Sequence, residues 1–276
     1  YGSVVIGTDK GELAAFSEDD GHALWKVSVG AVTYTSPAVS SDTVIVLSSD
    51  GVIHALNRQD GSVRWTYNSS VPSLSLKGNA APLLDESRVY VATSGGKLFG
   101  FDLASGVSGW DVRVATNNGR SELERMSDIV GNMLQSSDGI IYSVGYQSQL
   151  TATAPDNGRR RWQLDTSSVN DLAEGLGNVY VTDVSGNVIA VDQVSGKVSW
   201  KQTAYEWHTL TNPTVVDSLL AVGDDEGRVH LLAQSDGQLR GRIKVSGAAQ
   251  MALAGRGDVL YAWSKSGALS AWQIRH

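Results

Sequence analysis

The chain has 276 residues, 41% of them hydrophobic and 18% charged, with a formal net charge of −7, 30 glycines, 8 tryptophans and no cysteine. The acidic balance speaks against a nucleic-acid partner, which needs clustered Lys and Arg to displace counterions. The missing cysteines exclude disulfides and thiolate metal sites, and no stretch approaches the ~18 consecutive apolar residues of a membrane-spanning helix.

Tyr1 runs directly into a strand, Val4-Val5-Ile6, so the numbering is expected to begin inside a longer precursor. A repeat then takes over. Its first copy is Gly7-Thr8-Asp9-Lys10-Gly11-Glu12-Leu13-Ala14-Ala15-Phe16, followed by Asp20-Gly21 and Trp25. Its second is Ser49-Asp50-Gly51-Val52-Ile53-His54-Ala55-Leu56, followed by Asp60-Gly61 and Trp65. Further copies run from Gly96 to Trp110, Ser148 to Trp162, Gly186 to Trp200 and Gly227 to Gly237, and a last half-copy starts at Gly267. Seven units are thus visible, with Gly241 standing where the sixth tryptophan belongs.

The unit has a direct physical meaning. Asp-Gly, Asn-Gly and Ser-Gly supply the positive φ of tight hairpin turns, and alternation such as Val188-Ile189-Ala190-Val191 gives each strand two distinct faces. A period of about 40 residues with about four strands is the mark of a β-propeller blade. The expected fold is therefore all-β, a propeller of four-stranded antiparallel blades forming a single domain over 1–276. The repeated tryptophans, four residues after the second-turn glycines, are expected to pack between blades, since an indole buries roughly 150–250 Å².

The unit Gly-x-Val/Leu-x-Ala-x-Asp/Asn-x-x-x-Gly-x-x-x-Trp, clearest at Gly186 to Trp200, resembles the repeat of the pyrroloquinoline-quinone (PQQ) propeller superfamily. Two inter-blade segments are more specific. Val71-Pro72-Ser73-Leu74-Ser75-Leu76-Lys77-Gly78, with Ala81-Pro82 after it, and Ser121-Glu122-Leu123-Glu124-Arg125-Met126-Ser127-Asp128 resemble loops of the BamB family, lipoproteins of the outer-membrane β-barrel assembly (BAM) machinery. Ser168-Val169-Asn170-Asp171 and Val222-Gly223-Asp224-Asp225-Glu226-Gly227 also fit that family. The resemblance implies an eight-bladed ring anchored by a lipidated N-terminal cysteine, with one N-terminal blade and the anchor expected to lie outside this sequence; the seven visible units by themselves also allow a seven-bladed ring.

For function, the resemblance implies a non-catalytic scaffold at the periplasmic face of the bacterial outer membrane. It would bind a polypeptide-transport-associated (POTRA) domain of BamA and support folding and insertion of outer-membrane β-barrel proteins, whose unfolded chains it could also touch. The membrane would be reached only through the lipid anchor. Carried over by motif, the partner-binding residues are Leu74, Ser75, Leu76, Lys77 and Asp128. In an extended segment Leu74 and Leu76 face the same side. Lys77 stands where the family often has Arg, which removes a bidentate fork, and Val130 stands where a second acidic residue is common. The long interval from Trp110 to Trp162 places most of the inserted length in the second segment, and both segments follow a Trp-bearing strand, so both are expected to emerge on one side.

The competing reading is a PQQ-dependent dehydrogenase. It needs the quinone, a calcium ion held by carboxylate and amide oxygens, and usually a pair of adjacent cysteines. The acidic triplets Glu18-Asp19-Asp20 and Asp224-Asp225-Glu226 fall in hairpin turns, where such residues are expected to be solvated and to cap backbone N–H groups. His54 and His230 hold equivalent repeat positions and are expected to be structural, and no histidine pair has zinc-ligand spacing. No catalytic, cofactor-binding or metal-binding residue is assigned.

Overall fold

The computed structural model describes residues 2–72, 80–114, 128–245 and 251–275. Among them the backbone forms 26 strands and no helix. Contacts divide the chain into two units, Tyr1–Arg161 and Trp162–His276.

The first unit opens with a sheet of β1 (Ser3–Gly7), β2 (Glu12–Ser17) and β3 (Ala23–Ser28). A second follows, made of β4 (Ala38–Val39), β5 (Thr43–Leu47), β6 (Val52–Asn57) and β7 (Val63–Asn68), and a third of β8 (Leu83–Leu84), β9 (Arg88–Thr93), β10 (Lys97–Asp102) and β11 (Ser108–Arg113). The fourth sheet has β12 (Leu134–Gln135), β13 (Ile141–Val144), β14 (Gln149–Thr153) and β15 (Arg160–Asp165), and the division between the units falls inside β15.

The second unit contains a sheet of β16 (Ala173–Gly175), β17 (Asn178–Thr182), β18 (Val188–Asp192) and β19 (Val198–Gln202). After it come β20 (Thr214–Val216), β21 (Leu219–Gly223), β22 (Arg228–Ala233) and β23 (Leu239–Lys244), then a three-stranded sheet of β24 (Met251–Arg256), β25 (Val259–Ser264) and β26 (Leu269–Gln273). Every sheet is an antiparallel meander in chain order, as the repeat predicts.

The middle strands of the second and third sheets are buried on both faces because a neighbouring sheet covers each side of β5. In β5, Ile45 and Leu47 pack with Val89, Val91, Phe99 and Phe101 of the third sheet. Val44 and Val46, pointing the other way, pack with Leu13, Ala15 and Trp25 of the first. The fourth strands, by contrast, alternate between exposed and half-buried positions, which is where the period-2 signal of the sequence is cleanest.

The tryptophans do pack between sheets. Trp65 donates through Nε1 to Leu103 O at 3.0 Å, and a Cβ built on Gly106 would lie 2.5 Å from its ring. Gly106 is therefore required twice, once for its φ of +72° and once to admit the indole. The pairs Trp25 with Gly61, Trp110 with Gly158, Trp162 with Gly196 and Trp200 with Gly237 repeat this contact. At the sixth position Gly241 pairs with Leu231 across β22 and β23. Beside that pair opens a recess of about 650 Å³, lined in part by Leu219, Leu231, Ile243, Trp272 and Ile274.

Candidate functional site

Of the five residues expected to meet a partner, Leu74, Ser75, Leu76 and Lys77 lie outside the described residues, while both roots of their segment are described. Its entry passes the turn between β9 and β10. There Gly95 has a φ of +85°, and a Cβ added to it would stand 3.0 Å from Pro72 Cγ. Its exit, Ala80, donates to Ile129 O at 3.3 Å, and the Ala81 N–H reaches Asn132 Oδ1 at 2.8 Å.

The second segment, residues 115–127, is rooted at the same turn. On its entry side Val114 N–H donates to Gly96 O at 2.9 Å and Arg113 Nη1 to Gly95 O at 2.7 Å. On its exit side Asp128 Oδ1 accepts the Gly95 N–H at 2.8 Å, and Asp128 O accepts the N–H of Tyr146 at 2.9 Å. The Thr93–Lys97 turn thus packs against the entry of one segment and hydrogen-bonds both roots of the other. The exits of the two are joined directly through Ala80 and Ile129. The roots of the two segments therefore lie side by side.

Asp128 itself is only 1% exposed. Its carboxylate is turned toward Gly95 rather than outward, which suits a residue that sets the base of the segment. Next to this base lies a cleft of about 350 Å³ lined by Ser70, Val71, Pro72, Ser94, Gly95, Lys97 and Arg113. Lys97 Nζ pairs with Asp111 Oδ2 at 3.0 Å and lies over the Phe99 ring at 5.6 Å. With Arg113 it makes the mouth of the cleft basic in an otherwise acidic chain.

A second polar cluster lies in the other unit. Asp224 is 3% exposed, not solvated: Oδ1 caps the N–H groups of Glu226 at 3.0 Å and Arg228 at 2.9 Å, and Oδ2 holds His230 Nε2 at 2.8 Å. Arg242 Nε donates to the other ring nitrogen of His230 at 3.3 Å, which fixes the neutral tautomer with its proton on Nε2. Burial pushes the His230 pKa below its ordinary value despite the hydrogen bond to Asp224. Tyr205 packs against the imidazole with ring centroids 4.2 Å apart and the planes tilted by 36°. The capping half of the expectation holds, and the solvated half holds for Glu18, Asp19, Asp20, Asp225 and Glu226 but fails at Asp224, which the Tyr205 segment covers.

At the equivalent site His54 Nε2 meets Ser48 Oγ at 3.2 Å, and burial lowers its pKa too. Both histidines are integral to their blades. The Ser168–Asp171 stretch also serves the scaffold: Asn170 Nδ2 bridges Thr182 Oγ1 and Leu210 O, and Asp171 exchanges hydrogen bonds with Asn212. Among the described residues no three His, Asp or Glu side chains converge as metal ligands do.

Residues 1–202 match the family model described as outer membrane protein assembly factor BamB. The chain belongs to the BamB family. An outer membrane protein assembly factor BamB from Yersinia pestis is 31% identical over 235 residues, covering 85% of this chain and 60% of that protein. One from Pseudomonas aeruginosa is 38% identical over 208 residues, covering 75% of this chain and 54% of that protein. The chain thus spans 60% or less of the length of these two relatives. The crystal structure of BamB from Moraxella catarrhalis superposes with a TM-score of 0.89 at 31% identity, over 99% of this chain and 82% of that one. The fold is accordingly a β-propeller. A quinohemoprotein alcohol dehydrogenase from Pseudomonas putida HK5 superposes with a TM-score of 0.62 at 14% identity, over 80% of this chain and 43% of that one. At that identity the likeness is one of fold alone.

Proposed function

We propose that this BamB-family chain is a non-catalytic scaffold of outer-membrane protein assembly, acting at the periplasmic face of the outer membrane. Its work is to present the segment carrying Leu74, Ser75, Leu76 and Lys77 to a POTRA domain of BamA. In this reading Leu74 and Leu76 enter an apolar depression on the partner, while Ser75 and Lys77 supply polar contacts at its edge. Asp128 acts from beneath by holding the Gly95 turn on which the segments are rooted. The observation that carries the proposal is the shared root at Thr93–Lys97: a recognition segment keeps its geometry only if its ends are fixed.

A quinone-dependent dehydrogenase draws support from the fold alone. Its calcium needs converging carboxylate and amide oxygens, and the described acidic turns are committed instead to capping their own backbone, as at Asp224. No reaction step is derived through that cofactor.

The test is co-purification with BamA. Leu76→Asp combined with Lys77→Glu is expected to abolish it while leaving Tm within a few degrees of the parent. Undiminished capture of BamA by the double variant would sink the proposed segment.

A further inference from the structure

Trp207, in the turn linking β19 to β20, is 95% exposed and sits at a φ of +76°. The left-handed region is costly for a bulky aromatic residue, and an indole in water returns nothing for the strain. The surroundings nonetheless fix it there. Trp207 N–H donates to Ser185 O at 3.1 Å, Glu206 N–H to Thr203 O at 3.2 Å and His208 N–H to Tyr205 O at 3.0 Å. Beneath the turn Tyr205, 4% exposed, packs against the buried His230. On its far side His208 Nδ1 lies 2.7 Å from Asp225 Oδ1. The indole is therefore projected from a pedestal fastened on both flanks, which is how an anchor residue is presented before binding.

The ground around it is electronegative. Exposed Glu206 is its chain neighbour, and Glu226, ion-paired with Arg228, lies beside Asp225 in the next turn. The hydrogen bond to Asp225, then the charges of Asp225, Asp224 and Glu226, all raise the His208 pKa. An exposed indole with carboxylates on its own turn and on the next suits a guanidinium or ammonium group, which gains from the ring quadrupole and from ion pairing together. It is ill suited to an anionic lipid surface, which the same carboxylates repel.

We propose that Trp207, with Glu206 and Asp225, forms a second docking point, for a basic polypeptide segment whose arginine lies flat on the indole. This holds whether or not segment 73–79 grips BamA, since it rests on residues of the other unit.

The experiment uses the whole chain labelled with fluorotryptophan and followed by fluorine NMR, with Trp207→Phe assigning the resonance. The probe is an alternating Arg-Leu octapeptide, set against a Glu-Leu octapeptide and against vesicles of phosphatidylethanolamine and phosphatidylglycerol. The Arg peptide is expected to shift the Trp207 signal saturably and the Glu peptide to leave it in place. Trp207→Ala should weaken the Arg peptide by about tenfold or more, the scale of one good anchor contact, and Glu206→Lys should weaken it too. Trp207→Gly keeps the backbone conformation without strain, so it should lose binding while Tm rises. Equal binding by Trp207→Ala, a fall in Tm for Trp207→Gly, or a shift produced by the vesicles alone would overturn the proposal.

Discussion

Two turns at equivalent places in the repeat, Thr93–Lys97 and Asp224–Arg228, share one hydrogen-bond frame and are finished in opposite ways. In both, the glycine N–H returns to the first residue of the turn, Gly96 to Thr93 O and Gly227 to Asp224 O, each at 3.2 Å. In both, the glycine carbonyl also receives the end of the fourth strand, from Val114 and Val245, each at 2.9 Å. The first turn then strips itself to two glycines, and its bare backbone receives Asp128, Arg113 and Pro72. The second fills the space with its own side chains, Asp224 clamping His230 under Tyr205. The repeat thus dictates the frame, and the residues left over inside the turn decide whether a blade edge serves as a socket for neighbouring segments or as a pedestal beneath one.

The sharpest way to break this comparison is Asp224→Ala. It leaves the His230 Nε2–H unpaired in a buried site and uncaps two backbone N–H groups, so a loss of about 2–4 kcal/mol is expected in urea unfolding. Asp224→Ser, which copies Ser48, should recover part of it. If Asp224→Ala costs no more than an ordinary surface substitution, the clamp is not what holds the second turn. Next in size is Gly95→Ala, expected to cost about 1–2 kcal/mol from the left-handed backbone and the crowding of Pro72 together. Its control is Gly177→Ala, with a φ of +73° and nothing within 4 Å of the added Cβ, which bears the conformational part alone. Gly95→Ala should also weaken BamA capture, whereas Gly177→Ala should not. Equal capture by the two variants would separate the Gly95 socket from docking.

Much of the fold could be read from the sequence because its determinants are local. Asp20-Gly21 and Asp60-Gly61 announce turns, and Trp25 and Trp65 mark the strands that follow. Even the docking of each indole on the next sheet follows from its spacing behind a glycine. The candidate site was legible only in part. Leu74 to Lys77 stand out by composition and by resemblance, but the socket does not, since Ser94-Gly95-Gly96 reads as one more turn and only three-dimensional proximity brings Pro72 and Asp128 to it. An acidic triplet in a turn reads as solvated, which holds for Asp225 and Glu226 and fails for Asp224. The residue that buries it, Tyr205, comes from a linker whose path no local pattern reveals. Trp207 breaks the tryptophan spacing of the repeat, and that irregularity was the one available signal of its separate part.

The smallest effect sets two histidines of the second unit against each other by pH. His230 faces Asp224, Tyr205, Arg242 and Arg228, and its folded pKa lies below the unfolded value of 6.5, with burial the main cause. Between the two values the unfolded chain holds more protons, so this contribution is complete above about pH 6.5 and is lost as pH falls through the lowered folded pKa. His54 behaves in the same sense. For His208 the hydrogen bond to Asp225 raises the folded pKa, so its contribution is complete below 6.5 and is lost as pH rises through the raised value. His208 is also partly open to solvent, so screening makes its effect the weaker one. Urea midpoints measured from pH 5 to 8 should therefore fall on the acid side, and His230→Gln should flatten that limb by at most about 1.4 kcal/mol per pH unit. His208→Gln should leave the acid limb steep and remove only a shallow decline above neutrality. An acid limb that His230→Gln leaves as steep as before would mean that the buried imidazole is not held neutral, and the clamp drawn between Asp224 and His230 would have to be a charged pair instead.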